Sequence, residues 1–251
     1  MTRFNATIRT FETAAEYLGK KDSRPIGHNT RVVKENDISI TTISIKYHDT
    51  RVVVFDEFGR TVLNSGGWKT PTTKDRINAF CPAGYSVSQS NNIWTLNDRI
   101  RARDYLFKDG LVINGGIVMG AGSESDIKEI LRLKKRIRKY AAGIAAAWAG
   151  GKIKGPDAGD CFYCYMREVN SGIPLGEHNH DISHLESHME ESYYVPSLLL
   201  RAVEKYDSPF VTGMIYSHMV NGDIGNYKDS AVMWIKRAVR RYFYHEFGIG
   251  G

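Results

Sequence analysis

Three cysteines in 251 residues are too few for a disulfide scaffold. No run approaches the roughly 18 consecutive apolar residues of a transmembrane helix. The best candidate, Ala141–Ala149, is short and interrupted by Gly143. The opening residues Met1 to Asn5 contain no apolar h-region, so no secretory signal is expected. Low-complexity tracts and internal repeats are also missing. What is present is ordinary: 42 % hydrophobic, 25 % charged and 11 % aromatic residues, which excludes wholesale disorder and collagen-like structure. The length fits one large domain or two small ones, at about 100–200 residues each.

The net charge of +6 hides an uneven map. Residues 1–120 hold 17 basic and 12 acidic side chains, and residues 121–159 hold 9 and 4. Residues 160–228 reverse the sign, with 4 basic and 10 acidic. A basic first part followed by an acidic segment points to a polyanion partner for the former. The plainer alternative is an unevenly charged, solvated surface.

Hydrophobic periodicity divides the chain further. Ile8, Phe11, Ala14, Ala15 and Leu18 repeat at helical spacing, and Gly19 is placed to end that helix. Lys20 to Asn29, with Pro25 and Gly27, reads as a loop. From Thr30 the period is two, and β-branched residues predict antiparallel strands near 38–47, 50–56 and 60–65. Short strands are expected at 93–97, 103–107 and 111–114. Ser123 or Ser125 can cap a helix over 124–149, which Gly150-Gly151 ends. Further helices are expected at 181–206 and 229–247, with a Gly-rich loop between them. The fold class expected is α+β: an antiparallel β-rich part over 1–120 that opens with a helix, then a helical, zinc-containing part over 121–251.

The zinc expectation rests on Cys161, Cys164, His184 and His188, in the order C-x2-C-x19-H-x3-H. Two cysteines two apart wrap a tight turn around one ion. Two histidines at i and i+4 share one helix face. Together they offer a tetrahedral set suited to Zn²⁺. The gap of 19 is longer than in an ordinary ββα finger. The competing reading is a redox pair beside two surface histidines. His178 and His180 compete for ligand positions, whereas Cys81 reads as a buried thiol. Four protein ligands would make the zinc structural. The acidic surroundings argue that it braces the fold or faces a protein, because a phosphate-gripping finger is normally basic.

Candidate nucleic-acid contacts lie elsewhere. Lys128, Arg132, Lys135 and Lys139 are spaced four, three and four, so they form one stripe on helix 124–149, away from Ile127 and Leu131. The last helix repeats the pattern with Lys236 and Arg240. In the first half, Trp68, Lys69, Lys74 and Arg76 lie around a Thr72/Asp75 capping box. Free N–H groups there could hold a phosphate while Trp68 stacks on a base. The alternative places Trp68 in the core behind a capped helix.

Several of these segments resemble uncharacterised proteins of tailed bacteriophages and viral metagenomes. They are Arg24 with Asn29-Thr30, Tyr47-His48-Asp49-Thr50, Gly66-Gly67-Trp68-Lys69-Thr70 and Thr72 to Asn78. Cys161 to Cys164, His184, His188-Met189-Glu190-Glu191 and Tyr194-Val195-Pro196-Ser197-Leu198 are similar to the same group. The resemblance covers most of the chain. It implies a phage origin and expression in the cytoplasm of the bacterial host, and it transfers no catalytic residue.

Three function classes follow. The first is a zinc-stabilised phage protein that binds DNA or RNA in replication, expression or packaging. The second is a phosphodiester or nucleotide hydrolase drawing on His48, His178, His180, Asp181, Asn29 and Lys74, no pair of which has a diagnostic spacing. The third is an inhibitor that meets a host or phage protein through the acidic segment and Tyr193-Tyr194. A membrane partner is not expected, and whether the chain is an enzyme stays open.

Overall fold

A computed structural model describes residues 8–36, 39–156, 160–172, 175, 183–222 and 227–249. The chain divides into two compact units, with the boundary between Glu129 and Ile130.

The first unit opens with helix α1 (Phe11–Leu18), capped by the Thr10 and Thr13 side chains and ended by Gly19. An antiparallel sheet follows, with strands β1 (Ser23–Gly27), β2 (Thr30–Asn36), β3 (Thr41–Tyr47), β4 (Thr50–Asp56) and β5 (Thr61–Leu63). Helix α2 (Pro71–Phe80) leads to a second sheet of β6 (Tyr85–Ser90), β7 (Ile93–Asp98) and β8 (Arg103–Leu106). The chain then returns to the first sheet with β9 (Leu111–Asn114) and β10 (Ile117–Met119). The strand orders are β1-β2-β3-β4-β5-β9-β10 and β6-β7-β8.

Register explains the burial. Val32, Ile45, Val53, Leu63 and Leu111 pair in succession across five strands, and all five are fully buried. Their neighbours one residue on (Val33, Ser44, Val54, Val62, Val112) form the other face, as the two-residue side-chain period requires. Ile77 and Phe80 of α2, Ala14 and Leu18 of α1, and Trp94 and Phe107 complete this core. Tight hairpins set the register. Asn91 and Asn92 both adopt positive φ between β6 and β7, the backbone that a two-residue turn matching the strand twist needs.

The structure corrects the expected elements at several points. Residues 20–29 are not all loop, because they contain β1. Pro25 is tolerated there because β1 is an edge strand, where a missing N–H costs no ladder bond. Strand β6 escaped because only Tyr85 and Val87 alternate among serines. Helix α2 is capped by Thr70, which accepts from the Thr73 N–H, with Pro71 in the first turn. Thr72 is therefore inside the helix.

Helix α3 (Glu124–Ala149) runs across the boundary into the second unit, which is helical and continues with α4 (Phe162–Tyr165), α5 (Ser183–Glu191), α6 (Pro196–Tyr206), α7 (Pro209–Asn221) and α8 (Lys228–Glu246). Helix α3 begins as predicted. Ser123 Oγ accepts from the Asp126 N–H at 3.2 Å, and the Asp126 carboxylate accepts from the Ser123 N–H at 2.7 Å, a reciprocal capping box. The single helix expected over 181–206 is two. Ser192 takes a positive φ, and Pro196, without an N–H to donate, starts a new helix. The expected Gly-rich loop holds α7, capped by Ser208 with Pro209 in its first turn. The core joins Ile137, Ile144 and Trp148 of α3, Leu198 and Leu199 of α6, and Ile235, Val239 and Phe243 of α8. No helix among the described residues is long and apolar enough to cross a membrane.

Candidate functional site

Cys161 caps the one-turn helix α4, so Cys164 lies one turn on and the two thiols face the same space. Helix α5 brings His188 to them. One ligand atom from each of Cys161, Cys164 and His188 lies within 4.8 Å of the other two. Cys164 Sγ is 3.5 Å from His188 Nε2. On the far side of the ring, His188 Nδ1 is 3.0 Å from the Tyr193 carbonyl. A carbonyl only accepts, so Nδ1 carries the proton and the Nε2 lone pair faces the sulfurs. That is how a metal-ligating histidine is usually held. Tyr193 also stacks on the ring, with centroids 5.0 Å apart.

Neighbouring groups fix the knuckle. The Asp160 carboxylate accepts from the Cys161 N–H at 2.8 Å and the Ser197 N–H at 3.0 Å, and also from the Ser197 hydroxyl. It thereby ties α4 to the start of α6. The buried Arg201 donates to the Cys164 carbonyl. The Cys164 thiol, hydrogen-bonded to Cys161, brings the Cys161 thiol down to about 3 against its burial. Cys164 is pushed up, first by that bond and then by its own burial. One sulfur of the pair is therefore poised as a thiolate, the form that binds a metal.

His184 lies one turn before His188 on α5, with ring centroids 6.0 Å apart, and its ring centroid is 5.8 Å from that of Tyr163. The tight cluster therefore comprises three of the four predicted ligands. His178, His180 and Asp181 fall outside the described residues. Cys81 is fully buried in the first unit, donates toward the Tyr85 carbonyl at 3.1 Å, and is pushed up to about 11 by desolvation. Sequence reasoning missed Asp160, although it directly precedes Cys161, and it did not place Tyr193 or Arg201 at the knuckle, because only the folded chain brings those two there.

The predicted cations have diverse environments. Arg132, Lys135 and Lys139 are exposed on α3, and among the described residues none of them is in an ion pair. Lys128 on the same stripe pairs with Glu124 at 2.8 Å. The buried face of α3 is made by Ile137, Tyr140, Ala141, Ile144 and Trp148, opposite the stripe at 100° per residue. The expected apolar back is corrected at its start: Leu131 is exposed, and Lys134 is buried with its ammonium 5.0 Å from the Tyr244 ring centre. On α8, Lys236 is half-buried and Arg240 donates to the Lys236 carbonyl.

In the first unit, Lys69 is exposed, and Lys74 reaches Gln89 at 3.3 Å. Arg76 is corrected from a phosphate contact to a structural residue. It is 5 % exposed. Its guanidinium donates to Thr30 Oγ1 and to the Thr72 and His28 carbonyls, and it lies 3.7 Å over the Tyr47 ring. Trp68 is not a core residue, being 69 % exposed. Tyr47, His48, Asp49, Thr50, Trp68 and Thr70 come together around a cavity of about 420 Å³, so two of the phage-like segments converge in space.

No curated protein and no solved structure matches the chain. Residues 3–114, most of the first unit, match the model of the Kyanoviridae Gp96 protein family, a phage protein family of uncharacterised function, in agreement with the phage resemblance of the sequence.

Proposed function

We propose that this phage protein holds DNA or RNA by its phosphates along α3, and that a zinc ion at Cys161, Cys164 and His188 braces the acidic segment beside it in sequence. The observation that carries the reading is the exposed stripe of Arg132, Lys135 and Lys139, free of ion pairs among the described residues and opposite the buried face of its own helix. A rigid helix with cations along one side can follow a phosphate backbone without disturbing its packing. Two sulfur donors favour zinc over magnesium or calcium. His184, one turn before His188 on α5, is the candidate fourth ligand. Among the described residues the metal region holds no such stripe, so its part is structural.

Anisotropy titrations against labelled DNA and RNA at several salt concentrations test the first half. Affinity is expected to fall steeply with salt. Changing Arg132, Lys135 and Lys139 together to Glu is expected to abolish most binding with the far-ultraviolet spectrum unchanged. Retention of affinity in that variant overturns the reading. Elemental analysis tests the second half: about one zinc per chain is expected in the native protein, and none in Cys161→Ser/Cys164→Ser. Around the knuckle, Phe162, Tyr163 and Tyr165 are more than half exposed, and this favours a protein contact there as the second reading.

A further inference from the structure

The backbone of the loop between β5 and α2 is fixed, and the Trp68 side chain stands exposed on it. The Asp109 carboxylate accepts from the Ser65 N–H and hydroxyl and from the Gly67 N–H, at 2.5, 2.9 and 3.0 Å. The Trp68 N–H donates to the Ser65 carbonyl, and the Thr70 N–H to the Trp68 carbonyl, at 3.1 and 2.8 Å. Gly66 lies so close to the β3–β4 hairpin that a Cβ would stand 2.6 Å from Thr50 Cγ2, and its φ is +61°. The hairpin side of the cavity is also fixed, since Arg76 pins Tyr47 and the His48 ring packs 4.4 Å from the Tyr47 ring. A large indole is thus kept in solvent at the rim of a preformed cavity instead of being folded into the core.

We infer that this cavity binds a single unstacked nucleobase between Trp68 and the Tyr47-His48 hairpin. The size of the cavity suits the ligand, since small-molecule sites start near about 300 Å³. Its chemistry suits it as well. Trp68 offers a face for stacking that every base can use. His48 and Thr50 offer hydrogen-bonding groups for a base edge. The Asp49 carboxylate accepts from a base N–H and repels a phosphate, so the charged part of a nucleotide stays outside the cavity, where Lys69 is exposed. The base can come from a single strand or from a free nucleotide. The single strand is the source that extends the nucleic-acid reading above, and the inference rests on that reading for its source alone.

Tryptophan emission separates the outcomes. Trp94 and Trp148 are buried and Trp234 is half-buried, so the solvent-exposed emission belongs to Trp68. Titration with single-stranded 12-mers of dA and dC is expected to quench it, and the matching duplexes are expected to leave it. Trp68→Ala should weaken single-strand affinity about tenfold and spare duplex affinity, while Trp68→Phe restores most of the loss. Because Trp68 is exposed, these variants are expected to keep the melting temperature of the parent. Quenching by millimolar AMP or CMP equal to that of the strands upholds the base site and makes the free nucleotide its source. If neither strands nor mononucleotides quench Trp68, or if Trp68→Ala binds single strands as the parent does, the inference fails. The α3 reversal variant tells the two readings apart. Lost strand affinity with unchanged mononucleotide quenching supports both, whereas unchanged strand affinity removes the phosphate stripe and leaves the cavity.

Discussion

A guanidinium at 5 % exposure is an expensive thing to bury, and Arg76 is tolerated because its surroundings accept its protons and cover its face. Desolvation lowers its pKa, opposed by the nearby Tyr47 and Asp75. Removing the side chain leaves the His28 carbonyl and the Thr30 hydroxyl without this donor and frees the Tyr47 ring. Arg76→Ala is therefore expected to destabilise the first unit by about 2–4 kcal/mol. Urea denaturation checks the cost. Binding of duplex DNA by the folded fraction should not change, and a selective loss of that binding would return Arg76 to the phosphate contacts. Its burial was in fact legible in the spacing. Thr73, Arg76, Ile77 and Phe80 recur at three, one and three, which is one helix face. The density of charge around it hid that pattern. Trp68 shows the converse. Nothing in its own sequence neighbourhood says whether an indole faces inward, because the answer lies with Asp109 and Thr50, distant in sequence.

At the scale of elements, local chemistry was readable wherever the periodicity was strong. Helix α3 starts and ends where its serine cap and paired glycines place it, and β3, β4 and β9 fall on the alternating β-branched runs. Elements whose signal is spread over polar or uniformly apolar residues were not readable. Strand β6 is mostly serine and glutamine on its open side, and α7 lacks a polar face in its composition. The end of α5 and the start of α6 follow from Ser192 and Pro196, which a reading based on apolar spacing alone overran. Gly143 has a role that only packing reveals. A Cβ there would run into the Tyr194 hydroxyl and stand 2.6 Å from its Cζ. Gly143→Ala is expected to cost about 1–3 kcal/mol by overpacking. In a Tyr194→Ala background the same change should instead stabilise by up to about 1 kcal/mol, since alanine is the better helix former. A thermal-melt cycle of the four proteins reads the change of sign, and the same sign in both backgrounds would place the conflict elsewhere.

At the scale of the whole chain, the two units have separate apolar cores, and the cluster of Cys161, Cys164 and His188 belongs to only one of them. In its neighbourhood the core is thin. Between Asp160 and Glu191, Cys164 and Leu185 are the buried hydrophobic residues among those described. The knuckle is instead held by Asp160, Arg201 and the Tyr193 carbonyl, polar contacts that depend on its position. A bound metal would therefore stabilise a local segment and not the unit as a whole, because α3, α6 and α8 pack on one another regardless. This sharpens the usual expectation that structural zinc carries the folding energy of its domain. Stripping the metal with a chelator is expected to raise hydrogen exchange at the amides of α4 and α5 by at least about tenfold, the mark of local opening. The amides of α3 and α8, and those of the β3–β5 sheet, should keep their protection. A calorimetric scan should show the transition of the sheet unit unmoved. Collapse of protection throughout α3, α6 and α8 would mean that the metal holds the second unit together globally. Unchanged exchange in α4 and α5 would mean that the three side chains meet without a metal, held only by the hydrogen bonds between them.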